Sequence, residues 1–167
     1  MSTIPILTVF ISGLFGLIVA IVTWKLASRK EKEKFKQEVA LRDYKDREEL
    51  YISMLSTLDM IVRYTKRGKD YSELFTKLTY TVAKAEILAP GSINAKFHEV
   101  SEIIYSWSSE YKQSLPSTIG DSGFGIASSQ DEIHRERADK LFPELTTSIN
   151  ELVKIIKTEL EKMKAEI

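Results

Sequence analysis

The sequence predicts an all-α protein in three parts: an N-terminal transmembrane helix, a charged helical stalk and an antiparallel four-helix bundle. Three observations carry this expectation. Residues 1–24 hold no charged side chain, although the 167-residue chain has 24 basic and 24 acidic ones. From Leu50 onward apolar residues recur in steps of three and four, the spacing of helices that each bury one face. Apart from Pro143, the glycines and prolines beyond residue 24 gather at Gly68, at Pro90–Gly91 and between Pro116 and Gly125, which cuts the polar part into four long segments.

The first element is Ile4 to Trp24, IPILTVFISGLFGLIVAIVTW, 21 residues without a charge. At 1.5 Å per residue such a helix covers roughly 31 Å, the thickness of a bilayer's hydrocarbon core. A cleaved signal peptide needs a basic start, a shorter apolar stretch and a small-residue cleavage site, and none of these is present. Pro5 falls in the first turn, where its missing N–H costs nothing. Lys25, Arg29, Lys30, Lys32, Lys34 and Lys36 follow the run against Glu31 and Glu33. Lysine and arginine resist translocation, so the expected arrangement is a single-pass inner-membrane protein with its N-terminus outside and the remainder in the cytoplasm. The cluster is read as a topology determinant, with anionic lipid headgroups as a second contact. Thr8, Ser12, Gly16 and Ala20 recur every four residues, a small-residue face along which a second span can approach closely.

Residues 25–46 form the stalk, whose KEKEKFKQE run suits a solvated helix with Phe35 and Val39 as its apolar side chains. The bundle occupies 47–167. Its first helix carries Leu50, Tyr51, Met54, Leu55, Leu58, Ile61 and Val62 and ends at Gly68, after Arg63, Lys66 and Arg67, as the negative end of a helix dipole favours. Asp70 and Glu73 have capping-box spacing for a second helix lined by Leu74, Leu78, Val82 and Ala85. Ser92 is the expected cap of the third helix, whose seam is Ile93, Phe97, Val100, Ile104, Trp107 and Tyr111. Pro116 stops it. A glycine- and serine-rich loop over 116–129 follows. Ser129 and Glu132 are expected to open the last helix, with Phe142, Leu145, Ile149, Leu152, Ile156, Leu160 and Met163 as its stripe and a kink or restart at Pro143. That helix exceeds the others in length, so its final turns are expected beside the stalk, over Phe35 and Val39.

Chemistry-bearing motifs are sparse. The absence of cysteine removes disulfides, thiolate metal sites and cysteine nucleophiles. A zero net charge argues against nucleic acid as a partner. The GDSG tetrapeptide, Gly120 to Gly123, matches the nucleophile segment of chymotrypsin-like proteases but has neither their histidine arrangement nor their scaffold. His98 and His134 make no two-histidine metal pair and are expected as helix-surface side chains. The chain is therefore read as a non-enzyme without cofactor or metal. Threading the helices antiparallel brings Arg63, Lys66, Arg67 and Lys69 to the same pole as His134, Arg135, Arg137 and Lys140, beside two helix N-termini. That pole is the candidate binding site for an anionic small molecule.

The uncharged run, the stalk ASRKEKEKFKQE, the segment RDYKDREELYISMLSTL and the boundary AEILAPGS resemble a diffuse set of bacterial single-pass membrane proteins with small cytosolic helical domains. The resemblance implies a bacterial inner-membrane location and assigns no catalytic residue. Two functions follow as expectations: a membrane-tethered helical interaction module that self-associates or recruits a protein partner, or an oligomeric membrane effector of antiviral defence whose bundle senses an anion such as a cyclic nucleotide. The arrangement of the second is similar to that of known bacterial effectors.

Overall fold

The computed structural model describes the backbone of residues 4–118, 125, 126 and 128–167, and the side chains of 21–116 and 128–167. The described residues are helical except for turns and one minimal ladder. Helices α1 (Ile4–Lys66), α2 (Ser72–Leu88), α3 (Gly91–Gln113) and α4 (Ser129–Glu166) follow in order, with strands β1 (Ser117–Thr118) and β2 (Gly125–Ile126) between the last two. The strands pair antiparallel, Ser117 with Ile126 and Thr118 with Gly125. This ladder departs from the plain loop expected over 116–129. The GDSG segment lies outside the described residues, as do the side chains of the small-residue face Thr8, Ser12, Gly16 and Ala20. Among the described residues no helix is long and apolar enough to cross a membrane.

The chain divides into two compact units, Met1–Asp43 with Ile167, and Tyr44–Glu166. In the first, Phe35 and Val39 are 67% and 43% exposed.

In the second unit, the expected stripes are largely the buried ones. Leu50, Tyr51, Met54, Leu58 and Ile61 of α1, Leu78 and Ala85 of α2, Ile93, Phe97, Val100, Ile104 and Trp107 of α3, and Ala138, Leu145, Leu152 and Ile156 of α4 form one core. Removing a large member such as Trp107 would cost about 3–5 kcal/mol. Cross-helix contacts fix the directions. Arg47 meets Glu159 and the Lys66 ammonium lies over the Phe142 ring, so α1 and α4 run antiparallel. Lys96 meets Glu151 while Glu110 meets His134, which makes α3 and α4 antiparallel. Tyr71 and Phe75 lie by Ser108 and Tyr105, so α2 opposes α3 as well. The unit thus runs up, down, up, down.

Helix ends show where local chemistry shifts the expected boundaries. Gly68 adopts φ +62°, and the N–H groups of Gly68 and Lys69 donate to the carbonyls of Thr65 and Tyr64, a Schellman stop that satisfies two orphan acceptors. The expected Asp70–Glu73 box does not form. Asp70 instead accepts the Ser72 N–H and hydroxyl in a turn just before α2, which lowers its carboxyl pKa. Pro90, not Ser92, precedes the first turn of α3. At α4 the cap sits one residue earlier than expected: Ser128 Oγ accepts the Asp131 N–H at 3.2 Å and the Asp131 carboxylate accepts the Ser128 N–H at 2.7 Å. Pro143 lies inside α4 and does not restart it.

Candidate functional site

The candidate pole is built where the end of α1, the end of α3 and the start of α4 meet. Its floor is aromatic. Trp107 is fully buried, with its ring 5.5 Å from Tyr111 and 5.4 Å from Phe142. The Lys66 ammonium sits 3.9 Å above the Phe142 ring centre, a cation–π contact that holds the amine at the rim. Behind it the buried Thr65 hydroxyl donates to Ser108 Oγ at 3.3 Å, and the Tyr71 hydroxyl donates to the Ser108 carbonyl at 3.1 Å. Burial raises the Tyr71 pKa, helped by the neighbouring Tyr105 and Asp70, so the phenol stays a donor.

Most cations predicted for the pole already have partners. Arg63 pairs with Asp59 at 2.9 Å, Lys140 with Glu136 at 2.7 Å, and Lys69 lies 5.7 Å from the Tyr64 ring centre. His134 Nδ1 is 2.7 Å from Glu110 Oε2, and Arg137 is 3.7 Å from the other oxygen of the same carboxylate. His134 is therefore partly buried and bonded, which corrects its reading as a simple surface side chain. Of these eight, Arg67 and Arg135 have no side-chain hydrogen bond, ion pair or cation–π contact among the described residues. Glu110 is the residue that the sequence reading missed. Its signal was available: antiparallel threading of α3 on α4 from Lys96 and Ser148 puts Glu110 level with 134–137.

A second polar cluster joins α3 to α4. Lys96 Nζ reaches Glu151 at 2.6 Å, Glu99 at 2.7 Å and Ser148 Oγ at 3.2 Å, and the Ser148 hydroxyl donates to Glu99 at 2.8 Å. The Glu151 and Glu99 bonds raise the Lys96 pKa, and the Lys96 and Ser148 bonds lower that of Glu99. This cluster fixes the α3–α4 register. His98 and Glu102 line a groove of about 580 Å³ between α2 and α3, with Phe75, Val82 and Tyr105 as its apolar walls.

Chemically, these arrangements bind and brace. Among the described residues no three His, Cys, Asp or Glu side chains gather to hold a metal ion, and the Asp59, Glu110 and Glu136 carboxylates are engaged by cations of the same chain. Comparison with protein-family models, characterised proteins and solved structures finds no match for this chain.

Proposed function

We propose that this protein is a membrane-tethered helical module that acts by binding, not by chemistry, and associates with itself. The observation that carries the reading is the 21-residue uncharged run Ile4–Trp24, followed at once by six lysines and arginines against two glutamates. The same helix, α1, later supplies Leu50 to Ile61 to the core of the second unit. The small-residue face Thr8, Ser12, Gly16 and Ala20 supports association through the span. In this reading the protein belongs to a bacterial inner membrane, its N-terminus is outside and its second unit is cytoplasmic.

Internal pairing at the pole favours the module over a sensor of anions. A ligand phosphate would compete with Glu110, Asp59 and Glu136 for four of the eight predicted cations and with the Phe142 and Tyr64 rings for two more, and displacing a partly buried carboxylate from its partners is costly. The test is membrane fractionation with alkaline washing, combined with a reporter fused after Ile167. The expected result is a protein retained by the membrane with the reporter on the cytoplasmic side. Free solubility, or a reporter outside, overturns the tether. If Arg67→Glu with Arg135→Glu abolished an effect of a cyclic nucleotide on the protein's melting, the sensor would replace the module.

A further inference from the structure

Beside its core stripe, α1 carries a second one: Glu48, Ile52, Leu55, Asp59, Val62 and Lys66 follow one another in steps of four and three. On α4, Asp139, Phe142, Thr146, Ile149, Val153 and Lys157 do almost the same. Two adjoining stripes on one helix serve two neighbours. The middle members of both stripes line a groove of about 250 Å³ that runs between α1 and α4. Leu55, Val62, Phe142 and Ile149 are only partly buried there, and Ile52 at its margin is 63% exposed.

Charge identifies what fits this groove. The Arg47–Glu159 and Lys66–Phe142 contacts set the levels of the two helices. At one end acidic Glu48 on α1 is level with basic Lys157 on α4, and at the other basic Lys66 on α1 is level with acidic Asp139 on α4. Glu48, Lys157 and Asp139 form no ion pair among the described residues. A two-fold axis along the helices preserves these levels in a second copy. It can bring α1 against α4 of that copy, where Glu48 meets Lys157, Lys66 meets Asp139, and the middles, apolar except for Thr146 and the Arg63-paired Asp59, close on each other. Placing α1 against α1 would instead set Glu48 on Glu48 and Lys66 on Lys66. The pattern thus matches itself in one arrangement and repels in the other.

We propose that the second unit forms a two-fold dimer with another copy of this chain, α1 of each seated against α4 of the other along this groove. This deepens the self-association in the reading above by moving it to a surface outside the uncharged run.

The chain has no cysteine, so single cysteines in the full-length protein report contacts between copies only. Two differently tagged copies, one carrying Ile52→Cys and the other Val153→Cys, are produced together and oxidised in their native membranes. The expected product is a mixed disulfide dimer, with at least about tenfold less from the pair Tyr80→Cys and Ile87→Cys on α2. Glu48→Lys is expected to lower the yield about tenfold through like-charge contact with Lys157, and adding Lys157→Glu to the same chain to restore it. Helical melting of each variant distinguishes lost docking from lost folding. No mixed dimer from folded variants, or no restoration by the double exchange, overturns the proposal. Trp24→Cys reports the span separately: dimers there without any at Ile52 and Val153 overturn the groove and leave the tether standing. A freely soluble protein that still joins Ile52 to Val153 does the reverse.

Discussion

Ser128 and Asp131 show how one side chain sets both a boundary and an acid response. Each accepts the other's backbone N–H, which satisfies two of the donors that the first turn of α4 leaves open. Both bonds to Ser128 hold the Asp131 carboxyl below its usual pKa, with His134 and Arg135 adding to the effect. A depressed folded-state pKa contributes stability that is present above the unfolded value, about 3.9 for aspartate, and is lost as pH falls through the folded one. Asp70, Glu99 and Glu136 are lowered in the same direction and act in the same window. Ser128→Ala should therefore destabilise the second unit by about 1 kcal/mol at neutral pH. Asp131→Asn should lower the melting temperature at pH 7 but show a shallower acid limb, because one of the depressed carboxyls is gone. Melts from pH 7 to pH 2 decide this, and an acid limb as steep as the parent's would show that the cap contributes nothing to it.

At the scale of elements, the stop of α1 is the most constrained point. Gly68 sits in the left-handed region, where a side chain costs about 1–2 kcal/mol, and a methyl group there would also stand 3.6 Å from Leu115. Since that contact is ordinary, backbone strain dominates, and Gly68→Ala should lose about 1–2 kcal/mol with the helix content at low temperature unchanged. Chemical denaturation followed by circular dichroism measures it; an unchanged midpoint would place the strain elsewhere. The stop at Gly68 and the core stripes were legible because periodicity and a lone glycine are both local signals. The caps were less so. Ser128 and Ser129 are adjacent, as are Asp131 and Glu132, so the sequence offers two capping boxes one residue apart, and the packing of α4 on α3 selects between them. The pole was legible only in part. Its cations follow from helix direction, but the Glu110 carboxylate that binds two of them becomes visible only once α3 and α4 are in register. Thr57, Thr65, Thr81, Ser108 and Ser148 were hidden for a related reason: small hydroxyl residues interrupt an apolar pattern, yet all five are buried. The Thr81 hydroxyl bonds to a carbonyl of its own helix, and Thr65, Ser108 and Ser148 bond across helices.

In the whole molecule, the proposed function gives the tether to the uncharged leading segment and the binding to the second unit, and magnitudes say how firmly the first should hold. Thirteen of the residues from Ile4 to Trp24 are Leu, Ile, Val or Phe, each worth about −0.3 to −0.6 kcal/mol on insertion, or roughly −4 to −8 kcal/mol in all. A lysine at the centre of a span costs about 2.5–3.5 kcal/mol. Replacing Leu14 and Leu17 together by lysine removes two favourable contributions and adds two penalties, which brings insertion to about zero or beyond. The double variant should move from the membrane pellet to the soluble fraction. Its second unit should melt as the parent's does, because none of the buried core residues from Leu50 to Ile156 is touched. Retention in the pellet by a folded double variant would mean that something other than the uncharged run holds the protein there, and the tether would have to be sought in the stalk's cations instead.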